Sequence, residues 1–216
     1  MKQSKQTQLQ NKIQKLVIMG VMVAIVIVLQ AFGGAIAIPG TGLSITLTLV
    51  PIVLGAILYG PVFGSVLGLA FGVMVSMSVL QGAAGPLSAA MLSTHPFLTI
   101  FLCLFKGWAC GFVAGLIGKI VMKKDKKYLY PGAFAAAAIC PVVNTAIFCI
   151  GLVAFYGDIA KEYAAGTSLL AFIFVAIIGT NFLIELAVNL IAAPVLVRVI
   201  RALKKSGILK ADTGNV

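Results

Sequence analysis

The chain has 216 residues, 61% of them apolar (A, V, I, L, M, F, W, Y, C) and only 10% charged, with a mean hydropathy of +1.13. A soluble domain of this length needs far more polar surface, and no length is left for one beside a membrane part. The net charge of +11 excludes little by itself, but nucleic-acid binding calls for a basic face interleaved with stacking aromatics, and none is present.

The cations fall in clusters. Lys2, Lys5, Lys12 and Lys15 precede the first apolar run; Lys119, Lys123, Lys124, Lys126 and Lys127 sit mid-chain; Arg198, Arg201, Lys204, Lys205 and Lys210 follow the last run. Clusters separated by even numbers of spans follow the positive-inside rule and attract anionic lipid headgroups. The N-terminal lysines, the apolar run over 16–29 and Ala35-Ile36-Ala37 imitate a signal peptide. The run is long for one, so it is read as a retained helix.

In chain order, span one covers residues 16–32, ends at Gly33-Gly34 and enters a breaker-rich loop through Pro39-Gly40-Thr41-Gly42. Span two, over 43–58, carries Pro51, which removes an amide donor that neighbouring helices must compensate. A turn at Tyr59-Gly60-Pro61 leads into span three, over 62–80. Residues 81–95 are polar, glycine-rich and read as irregular. Span four covers 96–121, span five 131–155, and 157–167 reads as an exposed external loop. Span six, over 168–199, is longer than a bilayer needs, so it tilts or protrudes. The expected fold is an all-α integral membrane protein, a compact six-transmembrane-helix bundle with both termini cytoplasmic. Its divisions are a basic N-terminal segment (1–15), the membrane domain (16–203) and a cytoplasmic tail (204–216).

Glycine spacing predicts how the spans pack. Gly60, Gly64, Gly68 and Gly72 recur every fourth residue, as do Gly107, Gly111 and Gly115. Each ladder occupies one helix face and admits a neighbouring backbone closely. Gly20 and Ala24 form a further small pair, for which packing within the bundle is the first expectation and a separate membrane partner the second.

Polar groups at membrane depth are costly and therefore informative. They are Lys106 and Trp108 in span four, Asn144 and Thr145 in span five, and Asn181, Glu185 and Asn189 on one face of span six, with Thr46 and Thr48 as milder additions. Lys106 needs an anion, carbonyls or water. Glu185 is one partner for it, an anionic ligand group the other. Asn144 offers both donor and acceptor to a polar ligand, or a helix–helix hydrogen bond. Gln81 opens the polar segment and is a further binding candidate.

Cys103, Cys110, Cys140 and Cys149 lie in apolar runs without CxxC spacing or histidine partners, so neither a metal site nor disulfides are expected. No catalytic motif surrounds His95, and no Walker A sequence is present. An enzyme is therefore not expected, nor a resident cofactor. A bundle with glycine-rich outer loops and a few deep polar groups suits a small-molecule site. A ligand-free membrane scaffold is the alternative.

Together these residues resemble the S components of energy-coupling factor (ECF) transporters. The likeness rests on Gly20-Val-Met-Val-Ala24, Leu47 to Pro61, Phe63-Gly64 with the span-three glycines, Lys106-Gly107 to Gly115-Leu116, and Pro141-Val-Val-Asn144-Thr145. It covers roughly residues 13–205 and is nearest to the pantothenate-type members. It implies a vitamin bound by Lys106, Asn144 and Thr145, with loops 33–44 and 81–95 closing over it; Trp108, Gln81 and Asn181 are added to that site as polar candidates of the sequence itself. Gly20 and Ala24 would dock on a transmembrane coupling subunit driven by two ATPase subunits in the plasma membrane. The family more often has arginine at the position of Lys106. Lysine is a point charge rather than a planar fork, so a pyrimidine or pyridoxine-like micronutrient stands beside pantothenate as the ligand.

Overall fold

A computed structural model describes residues 2–33, 37–38, 43–44, 47–122, 129–164, 166, 168–173 and 182–205. In order these form α1 (Lys2–Gly33), the two-residue strands β1 (Ala37–Ile38) and β2 (Leu43–Ser44), α2 (Leu49–Tyr59), α3 (Pro61–Leu80), α4 (Pro86–Thr94), α5 (Pro96–Met122), α6 (Leu129–Phe155), α7 (Gly157–Tyr163), α8 (Leu169–Phe172) and α9 (Leu183–Lys205). The strands pair antiparallel, Ala37 with Ser44 and Ile38 with Leu43. Among the described residues, five helices are long and apolar enough to cross a bilayer: Lys12–Phe32 within α1, Pro61–Leu80, Pro96–Ile120, Leu129–Phe155 and Leu183–Leu203.

The second expected span is shorter than its apolar run. Residues 43–44 belong to the hairpin, and α2 has only 11 residues. At about 1.5 Å per residue it covers roughly half of a hydrocarbon core about 30 Å thick. Pro51 is its third residue, where the missing N–H falls among those that no helix turn satisfies, so the proline costs no hydrogen bond. Though short, α2 is the most enclosed element. Leu49, Ile52, Val53 and Ala56 are fully buried in a core that also takes Val26 from α1, Leu67 from α3, Cys110 and Ala114 from α5, Ala136 and Cys140 from α6, and Val197 from α9.

Two further expectations are corrected. Residues 81–95 are not irregular: after a turn, α4 starts on Pro86 and buries Leu87 and Met91. Residues 157–163 are helical, as α7, rather than loop. In both cases short-range helix signals (a proline in the first turn, an acid near the N-terminus) outweigh the polar or glycine-rich composition that suggested loop. The expected span six lies partly outside the described residues, which hold α8 at Leu169–Phe172 and α9 from Leu183.

The tightest packing is between α3 and α5. They run antiparallel with Gly64 against the Gly111 carbonyl, Gly68 against the Gly107 carbonyl and Gly72 against the Cys103 carbonyl. Gly115 closes on Pro61, where α3 starts. In lipid no hydrophobic force drives helices together, so such backbone approach, with its dispersion and Cα–H···O contacts, supplies the association energy. Gly60 meets Gly115 through its backbone carbonyl carbon. It joins α2 to α3 at φ +89°, a conformation that favours glycine, and a Cβ there would meet open space.

Gly20 and Ala24 depart from the first expectation. A Cβ on Gly20 meets nothing within 4 Å, and both residues are exposed on α1. That helix buries only Val26 and Gln30 among its described side chains, and it presents Ile13, Leu16, Val17, Val21, Ile25 and Val28 outward.

Candidate functional site

Three faces of α5 have three different uses. Gly107, Gly111 and Gly115 meet α3. Phe101, Phe105, Trp108 and Phe112 stack in series along the outside, with ring centroids 5.5–5.8 Å apart. The third face turns to α6: Leu102 meets Gly151, the Lys106 ammonium lies 5.1 Å from the centre of the Phe148 ring, and Cys110 meets Cys140. Lys106 is ten residues from Pro96, hence about 15 Å down the helix, near mid-membrane depth.

Asn144 lies one turn from Phe148 and one turn from Cys140 on the face of α6 that meets α5. It is 6% exposed, and its Oδ1 has no hydrogen-bond donor among the described residues. A buried carbonyl left in this way costs about 1–3 kcal/mol. Thr145 beside it is also buried. On α9, Glu185 approaches Cys140 from the other side, and Asn189 donates through Nδ2 to the Glu185 carbonyl at 2.8 Å. The Asn189 Oδ1 likewise finds no donor among the described residues.

The tip of α2 reaches this layer. Ile57 packs near Gly118 and Ile52 near Gly111, so α2 runs parallel to α5. One further turn in that register brings Thr48 to the level of Gly107 and Lys106. Thr48 is fully buried and donates its hydroxyl proton to Gln30 Oε1 at 2.8 Å. Beyond Thr48, toward the hairpin and α4, α2 supplies no helix to fill the bundle. The deep polar groups thus lie near the level at which α2 begins.

The sequence candidates therefore separate. Lys106, Asn144 and Thr145 belong to one layer. Trp108 does not, because it is 37% exposed in the outer aromatic stripe. Gln81 is exposed at the C-terminal end of α3. Asn181 and Thr46 lie outside the described residues. Lys106 rests on an aromatic face, and no carboxylate reaches it among the described residues, so the pairing with Glu185 is replaced by a cation–π contact. Phe148 and Gln30 went unnoticed in the sequence. Phe148 stands four residues from Asn144, and Gln30 is a lone amide in an apolar run, and those were the available signals. A separate hollow of about 250 Å³, lined by His95, Pro96, Phe97, Leu98 and Phe155, opens at the N-terminal end of α5, away from the polar layer.

The charged ends are likewise sorted. Arg201 near the end of α9 lies 4.6 Å from the Tyr130 ring at the start of α6. Since α6 starts where α5 ends, Lys119, Arg198, Arg201 and the lysines that open α1 share one end of the bundle. The hairpin, α4 and α7 occupy the other.

The model of the family described as "ECF transporter, substrate-specific component" matches residues 14–197, which is most of the chain. No curated protein matches, and no solved structure does.

Proposed function

Since the chain belongs to the ECF transporter substrate-specific component family, a family of multi-pass membrane transport subunits and not of enzymes, we propose that it captures one vitamin for an ATP-driven importer, and that the vitamin is pantothenate. The supporting observation is the buried Asn144 acceptor one turn from the ring on which Lys106 rests. A carboxylate with neighbouring hydroxyl and amide groups answers both: the carboxylate draws the ammonium from Phe148, and a hydroxyl or amide N–H donates to Asn144 Oδ1. Thr145 adds a hydroxyl to the same layer. A pyrimidine or pyridoxine-like ligand would use Asn144 but leave Lys106 without a carboxylate.

On this reading α2 counts as the sixth membrane element, a half-span, and the lysine- and arginine-rich end faces the cytoplasm with both termini. The exposed Gly20–Ala24 face of α1 meets the transmembrane coupling subunit, which two ATPase subunits drive. The experiment is purification in mild detergent, denaturation and mass spectrometry of what is released, with radiolabelled pantothenate added to the stripped protein. One bound pantothenate per chain, lost in Lys106→Ala and in Asn144→Leu, is expected. Stoichiometric release of a different compound would replace the ligand. No ligand after a full vitamin screen would favour a scaffold.

A further inference from the structure

The bundle holds a second, smaller apolar core apart from the one around α2. It is made of Leu87 and Met91 from α4, Leu102 from α5, Leu152 from α6, Tyr156, Ala160 from α7, and Ile173. Both α4 and α7 lie at the end away from the basic clusters, and Lys161 on α7 is paired with Asp158 at 3.1 Å. Tyr156, at the break between α6 and α7, is 2% exposed. Its hydroxyl donates to the His95 carbonyl at 3.1 Å and sits 2.8 Å from Thr99 Oγ1, which itself reaches the same carbonyl at 2.9 Å. Two hydroxyl protons thus serve three oxygens, and the His95 carbonyl also accepts the Thr99 amide at 3.0 Å. The His95 ring leans over Tyr156 with centroids 5.8 Å apart.

This knot joins two corners, that between α4 and α5 and that between α6 and α7. The opposite ends of the two short helices carry glycines at positive φ: Gly82 at +72° and Gly85 at +91° before α4, and Gly166 at +85° after α7. Those backbones are the places where direction changes at least steric cost.

We propose that α4 and α7 form a single cap, riveted in the middle by the Tyr156 hydroxyl on the His95 carbonyl and hinged at glycines at its two outer ends. The rivet makes the two helices open together, on the small core they share, while the α3–α5 seam stays shut. What the cap covers rests on the ligand-binding reading; its mechanics do not.

Hydrogen–deuterium exchange on the purified protein tests this. In the unmodified chain the amides of α4 and α7 should exchange at rates within about twofold of each other. Tyr156→Phe keeps the ring and its packing but removes the tie. Losing one buried hydrogen bond should speed exchange in both helices about fivefold or more, with the α3 and α5 glycine segments unchanged. Thr99→Val should shift the same amides in the same direction by less, because the bond from Tyr156 to His95 survives. Unequal α4 and α7 rates in the unmodified chain, no change on Tyr156→Phe, or equal acceleration in the glycine segments would each overturn the cap. Dissociation of radiolabelled pantothenate, measured on the same proteins, should be faster by the same factor in Tyr156→Phe. If pantothenate does not bind at all, the ligand assignment fails and the exchange data alone decide the cap.

Discussion

Replacing Gly68 by alanine tests the seam, with Gly20→Ala as its counterpart. A Cβ at Gly68 falls on the Gly107 carbonyl, which is backbone and cannot rotate aside. The helices must part by about 1 Å or more. They then lose the Cα–H···O contacts of a ladder in which Gly64, Gly68, Gly107 and Gly111 each abut a carbonyl. At about 0.5–1 kcal/mol per contact, three or four losses come to about 1.5–4 kcal/mol. Alanine returns up to about 1 kcal/mol in helix propensity over glycine, leaving a net destabilisation of about 0.5–3 kcal/mol. Gly20 faces open space, so there only the propensity gain applies, and Gly20→Ala should leave stability unchanged or raise it by up to about 1 kcal/mol. Thermal unfolding in one detergent, followed by loss of helical signal, compares the two directly. The opposite signs are the decisive feature. Gly68→Ala as stable as Gly20→Ala would refute the argument that backbone approach, rather than general apolarity, holds α3 to α5.

Three other outcomes follow from particular contacts. Gly20→Leu or Ala24→Leu should leave ligand retention intact in the purified subunit and abolish uptake by cells, since the added side chain projects from an unpartnered face; normal uptake would remove the docking role. Phe148→Leu should destabilise the fold by about 1 kcal/mol, and by much less in a Lys106→Met background, because the cation–π contact then no longer exists to be lost; a double-mutant cycle with coupling near zero would deny that contact. Thr48→Val should cost about 1–2 kcal/mol by stranding the buried Gln30 Oε1, and a second change, Gln30→Leu, should restore part of it; equal melting temperatures for Thr48→Val and the unmodified chain would count against a buried bond.

Much of the architecture was legible because lipid imposes strong constraints. Apolar runs of about twenty residues mark crossings, and the four-residue glycine ladders name the faces along which α3 and α5 meet. The half-length of α2 was not legible. Hydropathy over 43–58 is continuous, and the helix start is decided by chain geometry around the hairpin and by Pro51, which fits a first turn better than a helix interior. The short helices α4 and α7 were hidden for the opposite reason. Their compositions are those of loops; the local start signals at Pro86 and Asp158 are single residues, reinforced by burial of Leu87, Met91 and Ala160 against distant partners that composition does not show. The site was half legible. Depth alone singled out Lys106 and Asn144, but depth carries no information on rotation about the helix axis. Trp108, two residues from Lys106 and so about 200° around the helix, faces outward.

The two kinds of small-residue ladder show why spacing alone underdetermines function. Gly20 and Ala24 repeat the pattern of Gly64 and Gly68, yet one pair looks outward and the other is closed by carbonyls. The difference lies in the flanking side chains. Around Gly64 and Gly68 the residues Phe63, Leu67 and Phe71 are buried, so the whole face is committed to the bundle. On α1 the intramolecular face is made instead by Met19, Met22, Val23, Val26 and Gln30. That set leads the opposite way round the helix from Gly20 and Ala24, so the small pair is not required to hold α1 in place. A smooth strip that the fold does not use, on the helix least enclosed by the rest, permits close approach by a second membrane protein without disturbing the layer that contains Lys106 and Asn144. On the proposed reading, capture of a ligand and association with a coupling subunit should then respond to separate mutations, because the Gly20–Ala24 strip and the Lys106–Asn144 layer share no residue.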